Sequence, residues 1–481
     1  MADHSMAAAA GKAPALRARL QPDAIGVTQD LVIGMAMSAP AVTVGLTLAG
    51  LAAATAYGSG PVLILTGIPM LVIANAYRRC NKWNANCGAS FEWVGRAINP
   101  YLGFLTGWLM IAAYIIAAVS GVAVLAPSVL AVVGTSSTSI WGNIGIASVV
   151  TLAMLVIAVV GIRITAQTQV AMAVVEYAIL IGFAVVGLAA VLGHHPGTVP
   201  VTRGWLSVNG AGGRGSATAG FLIAVFIYSG WDGTLYVNEE VKRRHTNPGR
   251  AAVLGVALLV VIYALSAVGL QGLVSPARLQ AHSASALVYV AQALGGPGWA
   301  KVMALSLALS VIATTGTAIV LTARIVYGMA SYRTLPEFLA NVSRRFRTPV
   351  AASVIVGLLI LGLTWVYLLT TSVQAAFNDV IAVAGLLFTV LYVLTVIAMV
   401  VYYRRLVVSS ARHFLTLGVL PVAAAGFLAW ILVKSVLAAP APQVWSLVIV
   451  AGVGLLLMLV ARFGLRSAFF GVERESAPRE R

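Results

Sequence analysis

A polar, glycine-containing stretch interrupts an apolar run in the middle of the chain. Residues 219–228 read AGFLIAVFIY, and Ser229, Gly230, Trp231 and Asp232 follow at about the depth of a bilayer centre. Glycine favours an open backbone, and an ionised carboxylate is costly in hydrocarbon. The stretch therefore predicts a break in a membrane-spanning helix, where freed main-chain groups can bind a polar solute.

A second interruption lies in the first apolar span, which reads DLVIGMAMSAPAVTVGLTLAGLAAATAYG. Pro40 lies near its middle, and proline lacks an N–H and clashes with the preceding turn, so the helix kinks or opens there. The two interruptions are about 190 residues and five spans apart, and an odd number of spans reverses the second copy. This pattern predicts a five-plus-five inverted repeat whose broken helices share a binding site.

The two breaks offer main-chain groups of both polarities. The N-terminus of a half-helix carries partial positive charge and its C-terminus carries partial negative charge. A zwitterion suits such a site, with its carboxylate on amides of the first break and its ammonium group on carbonyls of the second. The predicted substrate-binding residues are Ser38, Ala39, Pro40, Ala41, Val42, Phe226, Ser229, Gly230, Trp231 and Asp232.

Two acids, Glu176 and Asp232, lie well inside predicted spans, whereas Asp30 and Asp379 lie near span ends. Asp232 has two interpretations: it accepts a cationic group or a proton, or it bonds within the protein and supports the break. Glu176 lies in VAMAVVEYAILIGF. Because an acid at a span centre costs roughly 3 kcal/mol to insert, its presence indicates a function. We predict that Glu176 carries a coupling proton; the alternative is a neutral carboxyl that is hydrogen-bonded inside the bundle.

The composition is that of a polytopic helical membrane protein. Of 481 residues, 60% are hydrophobic and 9% are charged, and the mean hydropathy is +0.97. Apolar runs of about 20 residues, enough to span a bilayer, recur along the chain. They predict twelve transmembrane helices, at residues 29–55, 60–78, 97–133, 140–162, 166–192, 217–238, 250–273, 298–330, 349–370, 374–403, 412–438 and 443–464.

The net charge of +17 follows the topology of these spans. With the N-terminus inside, 25 of the 30 Lys and Arg residues fall in inner segments, as the positive-inside rule requires. We therefore expect both termini in the cytoplasm, and the preference for Arg and Ala indicates a bacterial cytoplasmic (inner) membrane. Nucleic acid is not an expected partner, because no basic face or aromatic platform accompanies the charge.

The predicted organisation is a cytoplasmic N-terminal tail (1–27), a first repeat (28–192), an inverted second repeat (217–403), helices 11 and 12 (412–464) and a cytoplasmic tail (465–481). The last stretch, VERESAPRER, is expected to be solvated. Arginines at 163, 344, 345 and 347 are candidate inner-gate partners for the glutamates at 92, 239 and 240, although a solvated position is the expectation for any single one of them. No metal or cofactor is predicted, because Cys80 and Cys87 have no His ligands nearby.

Four stretches together resemble the amino acid–polyamine–organocation superfamily of secondary transporters, over nearly the whole chain. They are the FIYSGWD stretch with its NEEVK and NPGR exit, the AINPYLGFLTGW entry to the third span, the ARIVYGMA, LPEF and RTP segments near 323–349, and RITAQ at 163–167. The resemblance implies the LeuT-like fold, with discontinuous helices 1 and 6, and transport by alternating access.

This sequence departs from the superfamily pattern at two places. The Gly-Ser-Gly triplet whose amides hold a substrate carboxylate is replaced by Ser38-Ala39-Pro40. Glu176 matches a lysine of proton-coupled relatives, at a position where sodium-coupled relatives hold an ion between helices 1 and 8. A cation bound by Glu176, Thr314 and Thr315 is therefore the alternative to a proton.

The sequence thus predicts a secondary transporter for a small amine-bearing solute, above all an amino acid, coupled to a proton. A polyamine or other organic cation, sodium-coupled or uncoupled, is the alternative, and the missing triplet favours it. An enzyme is not expected, because no His lies mid-span and neither HExxH nor GxSxG occurs. The expected partners are the solute, a proton and the lipid bilayer, and no feature indicates an oligomeric state.

Overall fold

The computed structural model describes residues 19–135, 139–195, 197–208, 217–282, 285–370 and 373–477, and in these ranges it is all-helical apart from a single bridge between Ile25 and Val241. The first half contains helices α1 (Val27–Met37), α2 (Pro40–Thr55), α3 (Ser59–Trp83), α4 (Ser90–Ala97), α5 (Pro100–Val133), α6 (Ile140–Val160) and α7 (Ile162–Leu192).

The second half begins with a short helix and a 3₁₀ segment in place of one long helix. Its helices are α8 (Ala217–Ile227), α9 (Asn247–Gln271), α10 (Pro276–Ala281), α11 (Ala286–Ser331), α12 (Val350–Thr370), α13 (Val373–Tyr402), α14 (Arg404–Val407), α15 (Ala411–His413), α16 (Leu420–Ala438) and α17 (Ala441–Leu459). Among the described residues, eleven helical segments are long and apolar enough to cross a membrane. The interrupted crossing that starts with α8 completes the predicted twelve.

The first predicted break is present. Helix α1 ends at Met37, where the Ser38 N–H donates to the Met35 carbonyl (3.1 Å). Ala39 follows in a left-handed conformation (φ 45°, ψ 61°), and α2 starts at Pro40. Proline is well placed at the first position of a helix, since its fixed φ suits that position and no N–H is needed there. Pro40 therefore starts the second half-helix as well as ending the continuity of the first.

The second predicted break is also present, but the segment that follows it differs from the prediction. Helix α8 ends at Ile227, Gly230 takes φ 99°, and the chain continues as a 3₁₀ helix over Trp231–Tyr236. The predicted span at 217–238 is therefore not α-helical to its end. The division into repeats at 28–192 and 217–403 stays a prediction.

The inner face, defined here as the end where α1 begins and α11 ends, is closed by a buried ion pair. Arg324 Nε lies 2.9 Å from Glu240 Oε2, and both side chains are fully buried. Burial raises the pKa of the Glu240 carboxyl, and the Arg324 guanidinium opposes this shift. The Glu240 carbonyl also accepts the Ala24 N–H (2.8 Å), which holds the segment before α1 against it.

The predicted inner-gate pairs were wrong in their arginines. Glu240 pairs with Arg324, and Glu92 pairs with Arg96 at 3.2 Å. Arg324 lies inside an apolar helix, so the sequence offered no sign that it would meet Glu240. The exposed arginines at 344, 345 and 347 were the more obvious candidates by composition alone.

The C-terminal segment is not simply solvated. Phe469 is 1% exposed and stacks on Phe91 with ring centres 4.2 Å apart. Further along, Glu475 Oε1 accepts a bond from Arg96 Nη1 (2.6 Å), and the Ala477 N–H donates to the Tyr402 carbonyl (2.9 Å). The described part of this tail therefore covers the inner end of the bundle.

The buried pair yields a stability prediction. Arg324→Met leaves the Glu240 charge buried without its partner, so we expect the free energy of unfolding to fall by about 3–5 kcal/mol, seen as a lower Tm in detergent. Replacing both residues by Met removes the unpaired charge and should restore much of that loss. The exposed pair of Arg333 and Glu337 (3.7 Å) is the control, and Arg333→Met should change Tm little. Equal losses in the single and double variants would contradict this account.

Candidate functional site

The two helix breaks lie against each other. A Cβ placed on Gly230 would be 2.8 Å from the Met37 carbonyl oxygen and 3.0 Å from the Ser38 nitrogen. A Cβ on Gly34 would be 2.9 Å from the Trp231 carbonyl oxygen. Only glycine permits main chains to approach this closely, and Gly230 also needs its positive φ. The opened segments of α1–α2 and of the α8 crossing therefore meet in the bundle interior.

A cavity of about 50 Å³ lies where the breaks meet. Six predicted residues line it, namely Ser38, Ala39, Val42, Phe226, Ser229 and Thr314. The other predicted residues, which are Pro40, Ala41, Gly230, Trp231, Asp232, Glu176 and Thr315, are not part of its lining. A water needs about 10–15 Å³ in this measure, so the cavity holds a few waters or a small solute.

The lining contains hydroxyls and apolar groups but no charged side chain. Thr43, Thr47 and Ser120 add hydroxyls that the sequence analysis missed, and Phe388 of α13 closes one side. Ser120 is followed by Gly121, and this pair of small residues in the apolar α5 was the available sign that another group approaches there. Nothing in the sequence placed α13 at the site.

Asp232 is held by tyrosines rather than turned toward the cavity. It is fully buried, and it accepts hydrogen bonds from the hydroxyls of Tyr236 (2.7 Å) and Tyr392 (2.9 Å). The Tyr392 hydroxyl in turn accepts the Gly230 N–H at 3.1 Å. This geometry favours the supporting role of Asp232, in which the acid fixes a tyrosine that satisfies the opened backbone.

Trp231 packs in the core behind the break. It is 1% exposed and stacks on Tyr392, with ring centres 5.3 Å apart and planes 24° apart. Trp231 is therefore not part of the cavity lining, whereas Phe226 lines the cavity directly. Trp231 instead holds Tyr392 in position beside Asp232.

Glu176 reaches the first break from α7. Its Oε1 accepts the Ala41 N–H at 3.1 Å, and the side chain is 1% exposed. Ala41 is the second residue of α2, where helical N–H groups have no partner in their own helix. An anionic acceptor at this end is favoured by the helix dipole. Glu176 therefore caps α2 from a distant part of the chain.

Thr314 and Thr315 do different things. Thr314 Oγ1 lies within hydrogen-bond distance of the Ala36 carbonyl (2.8 Å), on the α1 side of the break, and of the Ser310 carbonyl of its own helix (2.7 Å), whereas Thr315 Oγ1 bonds to the Val311 carbonyl of its own helix (2.8 Å). Glu176 bonds on the α2 side, so the three groups do not share a common partner. Within the described residues, no cluster of three or more His, Cys, Asp or Glu is placed to hold a metal. The coupling role of all three residues stays a prediction.

A larger cavity of about 410 Å³ lies between the central one and the outer face, the end opposite the inner face. Leu46, Thr47 and Phe226 line both cavities. The larger cavity extends between α2, α8, α13 and α16. Phe226 thus stands between the two spaces, while the buried pair closes the inner side.

The comparison with protein families agrees with this geometry. A family model described as amino acid permease matches residues 30–460. The chain belongs to the amino acid permease family. This match covers both helix breaks, Glu176 and the inner-face pair.

Two curated relatives illustrate the range of the family. The chain is 27% identical over 265 residues to the large neutral amino acids transporter small subunit 2 of Mus musculus, covering 55% of this chain and 46% of the relative. It is 22% identical over 380 residues to an arginine/ornithine antiporter of Latilactobacillus sakei, covering 76% and 77%. The chain spans about half the length of the mammalian relatives it matches.

A solved structure shares the fold. A crystal structure of a manganese transporter from Eremococcus coleocola superposes with a TM-score of 0.62 over 91% of this chain and 92% of that chain, at 12% identity. At this identity the likeness concerns the fold alone. The shared fold agrees with the LeuT-like architecture that we predict for this permease.

The contact between the breaks yields a second prediction. Gly230→Ala adds a methyl group 2.8 Å from the Met37 carbonyl oxygen and strains a backbone at φ 99°. We expect the free energy of unfolding to fall by at least about 1–2 kcal/mol, the cost of a left-handed residue alone, with a lower Tm in detergent.

Gly182→Ala is the matched control, because a Cβ there meets nothing within 4 Å and the residue lies inside α7. It should leave Tm unchanged or slightly raised, since alanine favours helix. An unchanged Tm for Gly230→Ala would show that the two breaks are not held in contact at this point.

Proposed function

We propose that this permease moves a small neutral amino acid across the bacterial cytoplasmic membrane by alternating access, coupled to a proton carried by Glu176. The observation that carries the proposal is the contact of the two opened helices beside a small cavity. Freed main-chain groups of both polarities meet there, and these groups suit the carboxylate and ammonium of one zwitterion. Family membership supports the same class of substrate.

The lining of the cavity argues for an uncharged side chain on the substrate. Its polar side chains are hydroxyls, and a cavity of about 50 Å³ leaves little room beyond a small substituent. The nearest acid in the second break, Asp232, already accepts bonds from two tyrosines. A polyamine would need a free carboxylate to balance each buried charge, so this arrangement favours an amino acid.

The arrangement of the cavities supports alternating access. The larger space lies on the outer side and the buried pair of Arg324 and Glu240 closes the inner side, so the chain is in an outward-facing arrangement. We place both termini in the cytoplasm, as the 25 of 30 basic residues in inner segments indicate. The opposite, inward-facing arrangement then requires the inner pair to separate.

Transport into proteoliposomes tests the proposal. We expect uptake of small neutral amino acids from a labelled panel that also contains arginine and putrescine, with accumulation only when the outside is more acidic. Glu176→Gln should abolish accumulation driven by the gradient, because it cannot carry the proton, while exchange of labelled for unlabelled substrate persists. Gradient-driven accumulation by this variant would contradict the proton role.

Two further variants complete the test. Thr66→Val is a control. The Thr66 hydroxyl donates to the Val62 carbonyl of its own helix (2.8 Å), and Thr66 lies outside the cavity lining. Asp232→Asn should reduce uptake of all substrates by a similar factor, because Asp232 supports the break. A loss confined to some of the transported substrates would instead place Asp232 in contact with the substrate.

A further inference from the structure

The N-terminus of α2 has few free main-chain donors. Pro40 has no N–H, and the Thr43 N–H donates to the Ala39 carbonyl at 2.8 Å. The Ala41 N–H donates to Glu176 Oε1, 135 positions away in the chain. That leaves the Val42 N–H, for which the described residues provide no acceptor. A ligand anion at this helix end therefore meets a free Val42 N–H directly beside the Ala41 N–H that Glu176 already occupies.

A second observation places a ligand at this helix end. Val42 lines the central cavity, and so does Ser38, which is 3% exposed. The Ser38 hydroxyl is buried without a hydrogen-bond partner among the described residues. Buried hydroxyls are normally satisfied, so an unpaired one that faces a cavity indicates a missing polar group there. The Ser38 hydroxyl and the α2 N-terminus together form the part of the cavity suited to a carboxylate.

We propose that Glu176 and the carboxylate of the substrate compete for the amides at the N-terminus of α2, so that the substrate carboxylate binds only when Glu176 is protonated. This inference rests on the proposed function, which supplies the amino acid substrate. Ionised Glu176 holds the Ala41 N–H in the empty protein. Binding of the substrate takes up one proton from water onto Glu176, and release of the substrate returns it.

Electrostatics make the two carboxylates mutually exclusive. The polar groups beside Glu176 are the Ser310 hydroxyl on α11 and the Ala41 amide, and the neighbouring titratable groups are the phenols of Tyr177 on its own helix and Tyr263 on α9. None of these is a cation. The substrate's ammonium group is directed to the carbonyls of the second break, so no protein cation separates the two carboxylates at this helix end, and two ionised carboxylates placed there repel in a buried site. Protonation removes one charge and weakens the acceptor at Ala41, since charge-assisted hydrogen bonds are roughly twice as strong as neutral ones.

In the empty protein, the Glu176 carboxylate occupies a main-chain donor that the substrate carboxylate would otherwise bind. A glycine-rich break would leave several amides open to a ligand at all times. Here Pro40 removes one amide and Glu176 occupies another, so an empty binding site is held closed to anions until a proton arrives. Proton and substrate would then bind together, because the proton neutralises Glu176 and the substrate carboxylate binds the amides beside it.

Binding to the purified full-length protein tests this idea. The probes are glycine, alanine, serine, threonine and valine and their carboxamides, which keep the amine but carry no carboxylate. The dissociation constant Kd is measured for wild type and for Glu176→Gln from about pH 5 to about pH 8. The ratio of the wild-type Kd to the Glu176→Gln Kd cancels titration of the ligands themselves.

The sign of the pH effect follows from linkage. For the amino acids, the ratio should rise by about tenfold per pH unit once Glu176 is ionised in the empty protein, because one proton must then be taken up for each molecule bound. For the carboxamides, the ratio should stay constant within about twofold, since they do not require the Ala41 amide. Calorimetry in buffers of different ionisation enthalpy should give one proton taken up per amino acid bound at high pH.

Two more variants keep the test decisive. Glu176→Ala opens the same amide if Glu176→Gln fails to fold, and it should likewise bind amino acids without pH dependence. Tyr177→Phe alters a neighbour that does not touch Ala41, and it should keep the wild-type dependence. A constant ratio for amino acids that are taken up would overturn the inference and leave the proposed function standing. Absence of both binding and uptake for every amino acid would overturn the proposed function itself.

Discussion

The close approach of two opened main chains, at Gly230 and at Met37–Ser38, is the constraint on which the rest of the site depends. A membrane interior offers no water to satisfy main-chain groups that leave a helix. Each break must therefore find partners in the protein or in a ligand. Because the two breaks are in contact, their unsatisfied main-chain groups lie close together, and the cavity lies at the same place.

Much of that need is met by the protein itself. The Ser38 carbonyl accepts a bond from Thr43 Oγ1 (2.7 Å), the Gly230 N–H bonds to Tyr392, and the Ala41 N–H bonds to Glu176. A fully satisfied network of this kind holds its members in one arrangement, whereas a partly satisfied one is costly. Among the described residues of the first break, the Val42 N–H and the Ser38 hydroxyl are left without a partner on the cavity side. Supporting contacts thus fix the break, and a small remainder is free to bind.

The sequence predicts the breaks because their causes are local. Pro40 cannot continue α1, and the glycine at 230 supplies a positive φ that other residues adopt with difficulty. Glu176 also stands out, since an acid in an apolar span has no local reason to be there. These three residues predict where a site would lie, whereas the family fold is indicated by the four longer stretches that resemble the superfamily.

The partners of those residues could not be predicted in the same way, because they depend on packing between distant parts of the chain. Tyr392 lies 160 positions from Asp232, and in sequence it is one aromatic residue in an apolar run. The pairing of Glu240 with Arg324 also depends on packing between distant parts of the chain. Composition alone favoured the exposed arginines as partners of Glu240. The docking of Phe469 on Phe91 depends on the shape of the inner end, so a charged sequence around it was read as solvated.

The inner closure is suited to the alternating access proposed above, in which the inner side opens repeatedly. Burying Arg324 and Glu240 together adds little net stability, because desolvation of both charges offsets much of their attraction. Separating them inside the protein is nevertheless costly, so they part only when water reaches both. Water enters that region when the inner side opens, and the cost of separation then falls as the charges are solvated. A buried ion pair therefore holds the inner face closed while water is excluded, and it is easily separated once water reaches both charges. An apolar contact of the same size would not become easier to separate when water arrives.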